Sequence, residues 1–333
     1  MSQAVFECID AHTCGNPVRV VVSNGPALEG ATMNHRRQHF LSEFDWIRTG
    51  LMFEPRGHDA MSGSILYPPT TEDGDLSVLF IEVSGCLPMC GHGTIGTVTV
   101  VLERGLVKPR TPGCLLLDTP AGRVEAKYEQ DGEFVSSVTL TSVPSFCHTL
   151  DAVINVPQFG ELRLDICYGG NFYAIIEPQA SYEDLSQLSV DDIRRLSPLI
   201  RTQVNNELDV RHPDNDTIRN VSHVMWTGKP KDPTSSARNA VFYGDRGIDR
   251  SPCGTGTSAR MAQLFARGDL HLNQPFVHES IIGSQFTGTA IASTSVGHHD
   301  AIVPSICGWA RITGDNRIII DSRDPYAHGF LLT

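Results

Sequence analysis

Two stretches of this chain repeat one pattern. Cys90-Gly-His-Gly-Thr-Ile-Gly96 and Cys253-Gly-Thr-Gly-Thr-Ser-Ala259 both read Cys-Gly-x-Gly-Thr-x followed by Gly or Ala, about half a chain length apart. Each has a proline just upstream, Pro88 and Pro252, and each opens a helical pattern after a strand-and-turn region. A lone Cys-Gly is an ordinary buried pair. Two matching copies at this spacing predict two related halves, each seating a cysteine at a helix N-terminus.

Such an arrangement suits proton transfer at carbon. Taking the α-proton from an amino acid leaves negative charge, which a helix N-terminus can receive through its unpaired N–H groups and positive dipole end. Glycines at 91 and 254 let the backbone approach a carboxylate closely. Those hydrogen bonds would strengthen as the carboxylate becomes enediolate-like, so they favour the transition state over the ground state. The thiols supply acid and base. A free thiol has a pKa of about 8.5, and a helix N-terminus is expected to lower it. One cysteine as thiolate would take the proton from one face while the other, as thiol, returns it from the opposite face. Their titrations would then belong to the pair. Five further residues are candidates for holding the substrate. His92 sits in the first turn after Cys90, and Thr255 offers a backbone N–H after Cys253. Gly91 and Gly254 open the backbone, and Asp249 could pair with a protonated amine. Asp249 also reads as a turn former or ion-pair partner, and His92 as a polar helix-start residue. A rival reading of the first motif is a metal site formed by Cys86, Cys90 and His92, but no second ligand cluster accompanies it, and thiolate–imidazole zinc sites usually have four ligands.

The elements that must carry these motifs are mostly strands. Short runs rich in Val, Ile, Leu and Phe, bounded by Gly, Pro or Asn, predict β-structure at 19–23, 76–83, 114–118, 123–128, 136–141, 174–177, 220–226, 240–243 and 317–321. Helical patterns are fewer: 42–48, led in by 37–44, then 94–103, 182–196 and 257–266. Residues 228–237 read as a surface loop. Many strands with few helices predict an α+β (α/β) chain, and 333 residues exceed what one core usually serves, so two domains are expected.

Composition narrows the partners. The chain is globular in make-up, 40% hydrophobic and 19% charged, and its formal net charge is −12. That balance disfavours nucleic acid and anionic membranes, which need a basic surface. No apolar run approaches the roughly 20 residues of a membrane span. The opening residues show neither a basic nor an apolar targeting region, so a cytoplasmic location is expected. Nine cysteines, an odd number, argue against a disulfide framework.

Met89-Cys-Gly-His-Gly-Thr-Ile-Gly96 and Asp249-Arg-Ser-Pro-Cys-Gly-Thr-Gly-Thr257 resemble the two signature motifs of the proline racemase family. Asp10-Ala-His-Thr-Cys-Gly-Asn-Pro17 and Glu54-Pro-Arg-Gly-His-Asp59 resemble that family as well, and the likeness runs over essentially the whole chain, most of all to the bacterial 4-hydroxyproline 2-epimerases. The resemblance implies a diaminopimelate-epimerase-like fold of two pseudo-symmetric halves, each a curved sheet around a central helix. The halves would be 1–132, joined by a C-terminal segment at about 319–333, and 133–318. It further implies Cys90 and Cys253 as acid/base thiols; Gly91, His92, Asp249, Gly254 and Thr255 as substrate contacts; no metal or organic cofactor; and a monomer or homodimer acting on a small imino acid. Related dehydratases carry a single catalytic thiol, so the pair favours epimerisation at the α-carbon of 4-hydroxyproline. His223, in Ser-His-Val-Met-Trp, is the candidate for the polar wall that would bind the ring hydroxyl, with a satisfied core histidine as its alternative. Proline racemisation, 3-hydroxyproline epimerisation and, more remotely, non-catalytic binding of a small molecule are the competing readings.

Overall fold

A computed structural model describes residues 3–157 and 159–332. Among them are five α-helices: α1 (Met33–Glu43), α2 (Asp45–Met52), α3 (Gly91–Glu103), α4 (Val190–Glu207) and α5 (Gly254–Arg267). The remaining regular structure is almost entirely β, an α+β chain. Internal contacts divide it into two units, one running to Leu140 and resuming at Gly308, the other spanning Thr141–Cys307.

In the first unit, strand Gln3–Thr13 turns directly into Asn16–Ser23. The two turn residues, Cys14 and Gly15, have φ of 48° and 98°, the positive values that a two-residue type I′ hairpin requires. Strand Ala310–Asp321 returns to pair antiparallel with Gln3–Thr13. On the other side, Asn16–Ser23 runs parallel to Ser62–Tyr67, which pairs antiparallel with Leu76–Glu82. Helix α3 packs against Gln3–Thr13, Asn16–Ser23, Ser62–Tyr67 and Ala310–Asp321. Every residue from Gly91 to Val101 is buried, as befits a helix apolar on all sides. Its threonines are satisfied internally: Thr94 and Thr99 donate to the carbonyls of Cys90 and Ile95, and Thr97 meets Ser64 Oγ at 2.7 Å. Full burial of Ile95, Val98, Val100 and Val101 contributes roughly 1.5–3 kcal/mol apiece.

In the second unit, Ser145–Val156, Gly160–Tyr168 and Phe172–Ile176 pair antiparallel in succession. His223–Gly228 then joins parallel and Ala237–Tyr243 antiparallel. The ladder continues through Pro275–Glu279, Gln285–Val296 and His299–Gly308. The last of these touches the first, at Ala301 with Phe146 and Ile302 with Ser145, so the ring of strands closes. Helix α5 packs on Ser145–Val156, Gly160–Tyr168, Phe172–Ile176 and Gln285–Val296. It ends at Gly268 in the left-handed conformation, φ 80°.

Three sequence expectations need correction. The predicted helix at 42–48 straddles two helices, because Phe44 leaves helical geometry and serves as the C-cap of α1 and the N-cap of α2. The predicted helix at 182–196 is a 3-10 turn, Leu185–Gln187, followed by α4. Helix α4 runs through Pro198 to Glu207. A proline inside a helix costs about 3 kcal/mol, which the buried stripe Ile193, Leu196, Ile200 and Val204 outweighs. Strands Gln3–Thr13, Ser145–Val156 and Gln285–Val296 lie where no strand was predicted. Gln285–Val296 is rich in Thr and Ser and half exposed; ladder bonds on both sides hold it, and only Phe286, Gly288 and Ala290, at alternate positions, give its first half a buried face.

Candidate active site

Cys90 enters α3 from extended backbone, φ −141° and ψ 108°, and its carbonyl accepts both the N–H and the hydroxyl of Thr94. The hairpin 10–17 is the buttress of this helix start. Thr13 Oγ1 donates to the His92 carbonyl at 2.8 Å, and Asn16 Nδ2 lies 3.0 Å from His92 Nε2. With the Asn16 NH2 as donor, Nε2 accepts and the ring proton sits on Nδ1, 3.5 Å from Cys90 Sγ. The first thiol therefore has an N–H donor beside it, which suits a thiolate. His92 and Asn16 are both buried.

The second thiol is held differently. Cys253 enters α5 at φ 66° and ψ 107°, a conformation that costs a residue with a side chain on the order of 1–3 kcal/mol. The loop before it is pinned throughout. Asp249 Oδ1 accepts the N–H and hydroxyl of Ser251, both at 2.8 Å, and Ser251 Oγ accepts the Cys253 N–H at 3.1 Å. Asn239 Nδ2 donates to the Pro252 carbonyl at 2.8 Å. Thr257, the threonine that both motifs share, meets His278 Nδ1 at 3.0 Å. The Tyr173 hydroxyl lies 3.2 Å from Cys253 Sγ and 2.6 Å from Thr255 Oγ1. Behind it, His223 stacks on the Tyr173 ring at 4.7 Å, with Ser222 Oγ 2.7 Å from its Nδ1.

The glycines of the motif do more than open the backbone. A Cβ on Gly93 would lie 2.9 Å from Cys90 Sγ, and one on Gly256 would lie 3.0 Å from both Sγ and Cβ of Cys253. The second glycine of each motif makes room for the thiol itself. Gly96 serves the helix instead, since a Cβ there would meet Thr13 Oγ1 and Val18 Cγ2 at 3.0 Å.

The expected lowering of the thiol pKa by a helix start does not hold for Cys253. Burial pushes this thiol well above its usual value, and the Asp249 charge adds to the rise. Hydrogen bonds from Tyr173 and the Gly256 N–H pull the other way without prevailing. Removing a charge from water costs more here than half a helix-dipole charge returns. Burial therefore favours Cys253 as the thiol. Cys8 and Cys86 are pushed up to about 12, chiefly by burial. Among the described residues, no three His, Cys, Asp or Glu side chains are grouped to hold a metal ion. No described helix is long and apolar enough to cross a membrane.

The predicted site residues thus fall into two groups. Cys90, Gly91 and His92 belong to the first unit; His223, Asp249, Cys253, Gly254 and Thr255 belong to the second. Within each unit the structure brings them to the start of one buried helix, with His223 reaching Cys253 through Tyr173. Sequence reasoning missed Thr13, Asn16, Tyr173 and Asn171, whose Nδ2 lies 3.4 Å from Thr255 Oγ1. Thr13 and Asn16 carried a signal, lying in the 10–17 segment, whereas nothing in the spacing of Asn171 or Tyr173 marks them.

Known proteins resemble this chain in sequence and fold. A 4-hydroxyproline epimerase of Brucella ovis is 59% identical over 330 residues, covering 99% of both chains. The crystal structure of a hydroxyproline epimerase from Agrobacterium vitis, with bound trans-4-hydroxy-L-proline, matches at a TM-score of 0.90 and 32% identity, over 99% of this chain and 95% of that one. A phenazine biosynthesis protein of the PhzF family from Bacillus anthracis shares the fold, with a TM-score of 0.58 at 16% identity over 96% of this chain and 99% of that one. The family model described as proline racemase matches residues 8–331, so this chain belongs to the proline racemase family.

Proposed function

We propose that this chain is an isomerase that inverts the α-carbon of 4-hydroxyproline, interconverting trans-4-hydroxy-L-proline and cis-4-hydroxy-D-proline, with Cys90 and Cys253 as its two acid/base groups. The observation that carries the reading is a buried thiol at the start of a buried helix in each unit, each with its own hydrogen-bonding partner. The name of the Brucella relative supports the substrate.

The chemistry follows from the two settings. Cys253 rests as the acid, because burial and Asp249 oppose its ionisation. Cys90, with the His92 Nδ1–H beside it, acts as the base in that direction. An imino nitrogen arriving as a cation neutralises Asp249 and removes its push on Cys253, so the roles can exchange for the reverse reaction. The N–H groups of Gly91, His92, Gly254 and Thr255 take the carboxylate as charge moves onto its oxygens. His223 is assigned to the ring hydroxyl. The same reading takes the units as related halves of a diaminopimelate-epimerase-like fold, places the protein in the cytoplasm, and needs no cofactor.

Incubation with trans-4-hydroxy-L-proline or L-proline in deuterium oxide tests this. The α-proton NMR signal of the hydroxylated substrate should vanish at least tenfold faster, because a polar group built for the hydroxyl is left unpaired by proline. Cys90→Ser and Cys253→Ser should each lower epimerisation by roughly a hundredfold or more. Either variant turning over both isomers at near the parent rate overturns the two-thiol assignment.

A further inference from the structure

We propose that Tyr173 is a positioning residue for Cys253, its phenol turning from hydrogen-bond acceptor to donor as the sulfur gives up its proton. The inference rests on the reading of Cys253 as an acid/base thiol.

The phenol oxygen stands between two groups, 3.2 Å from Cys253 Sγ and 2.6 Å from Thr255 Oγ1. It carries one proton and can give it to only one of them at a time. While Cys253 is a thiol, S–H donates to the phenol and the phenol donates to Thr255 Oγ1. Once the sulfur has lost its proton, the phenol O–H turns to the thiolate and the Thr255 hydroxyl donates to the phenol oxygen. No proton leaves Tyr173 or Thr255; two hydroxyl rotors turn. Asn171 Nδ2 approaches Thr255 Oγ1 at 3.4 Å, so that oxygen has an acceptor role in both states.

Only the rotor is mobile. The Tyr173 side chain is fully buried, and its strand Phe172–Ile176 is paired on both edges. His223 stacks on the ring from strand His223–Gly228 with an interplanar angle of 30°. The titratable groups packed around this helix start offer the thiolate no cation. Asp249, from the preceding loop, opposes a thiolate. His278, which reaches Thr257 from strand Pro275–Glu279, is held neutral by burial, its pKa lowered to about 3. Besides the Gly256 N–H, the phenol supplies the hydrogen bond by which a thiolate is tolerated there. A hydrogen bond to an ionised group is roughly twice as strong as a neutral one, so the phenol favours the thiolate over the thiol.

The test measures the Cys253 thiol directly. The full chain carrying Cys90→Ser is pulsed with iodoacetamide across a pH series, and modification of the Cys253 peptide is read by mass spectrometry. Adding Tyr173→Phe keeps the ring on His223 and should raise the alkylation pKa of Cys253 by about one unit. Site-specific replacement of Tyr173 by 3-fluorotyrosine, a stronger donor of nearly the same shape, should lower it; this variant serves if the phenylalanine variant fails to fold. In the chain with both thiols, Tyr173→Phe should reduce kcat/KM about tenfold at neutral pH and move its pH limb upward. An alkylation pKa of Cys253 that stays put in both variants overturns the inference, since a purely structural role would not separate them. If alkylating Cys253 leaves epimerisation intact, the assignment of Cys253 itself fails, whatever Tyr173 does.

Discussion

The second glycine of each motif offers the sharpest test of how the thiols are seated. Gly93→Ala would place a methyl carbon 2.9 Å from Cys90 Sγ, 3.3 Å from its Cβ and 3.4 Å from Phe80. Ordinary van der Waals contact begins near 3.5 Å, so the sulfur must retreat by roughly half an ångström, which rotation about χ1 can supply. Gly256→Ala is the harsher change. Its methyl would lie 3.0 Å from both Sγ and Cβ of Cys253 and 2.9 Å from Met225 Cε. The methionine tip can move aside, but the Cβ cannot move without the backbone, which is already held at φ 66°. Overpacking costs about 1–3 kcal/mol, and alanine returns up to about 1 kcal/mol of helix propensity, so both proteins should fold, with Gly256→Ala the less stable. Activity should respond more than stability, because a displacement of about 1 Å at a reacting group can cost on the order of a hundredfold. We expect kcat/KM to fall roughly tenfold for Gly93→Ala and a hundredfold for Gly256→Ala. Gly96→Ala is the control, since its crowding falls on Thr13 and Val18 rather than on the thiol; it should lose stability with a smaller loss of rate. Epimerisation rates and urea midpoints for the three variants decide the matter. Parent-like kcat/KM in folded Gly256→Ala would refute the claim that the glycine exists to seat the sulfur.

Two further outcomes follow from the site's neighbours. Asn16→Ala removes the donor from His92 Nε2 and frees the ring to carry its proton there, presenting a bare Nδ1 to Cys90. We expect kcat/KM to fall by roughly tenfold to a hundredfold, with the tautomer change visible by nitrogen-15 NMR; an unchanged tautomer with unchanged rate would remove Asn16 from the account. His278 is fully buried and its pKa is lowered to about 3 by burial and by Arg260. A depressed folded-state pKa means that the unfolded chain binds the proton first, so the contribution is complete above about pH 6.5 and falls by about 1.4 kcal/mol per pH unit on the way down to about 3. Urea unfolding of the parent and His278→Gln across that window should converge at low pH; parallel curves would contradict the neutral, buried imidazole.

What the chain declares by itself is local. A cysteine followed by two alternate glycines and a threonine marks a helix start because the signals act within one turn, and both copies open helices, α3 at Gly91 and α5 at Gly254. The strand Gln285–Val296 and the run of α4 beyond 196 were not legible for the complementary reason, since pairing partners and the packing that buries the stripe of α4, both supplied from elsewhere in the chain, settled their fate. The direction of the Cys253 pKa shift shows the same division. The helix start that favours a thiolate is written in sequence, whereas the burial that overrides it comes from packing. Partners such as Tyr173 for Cys253 and Asn16 for His92 lie 80 and 76 residues apart. Only the sheets, by setting which strand lies beside which helix, bring such hydroxyl and amide groups within hydrogen-bonding reach of a thiol and an imidazole.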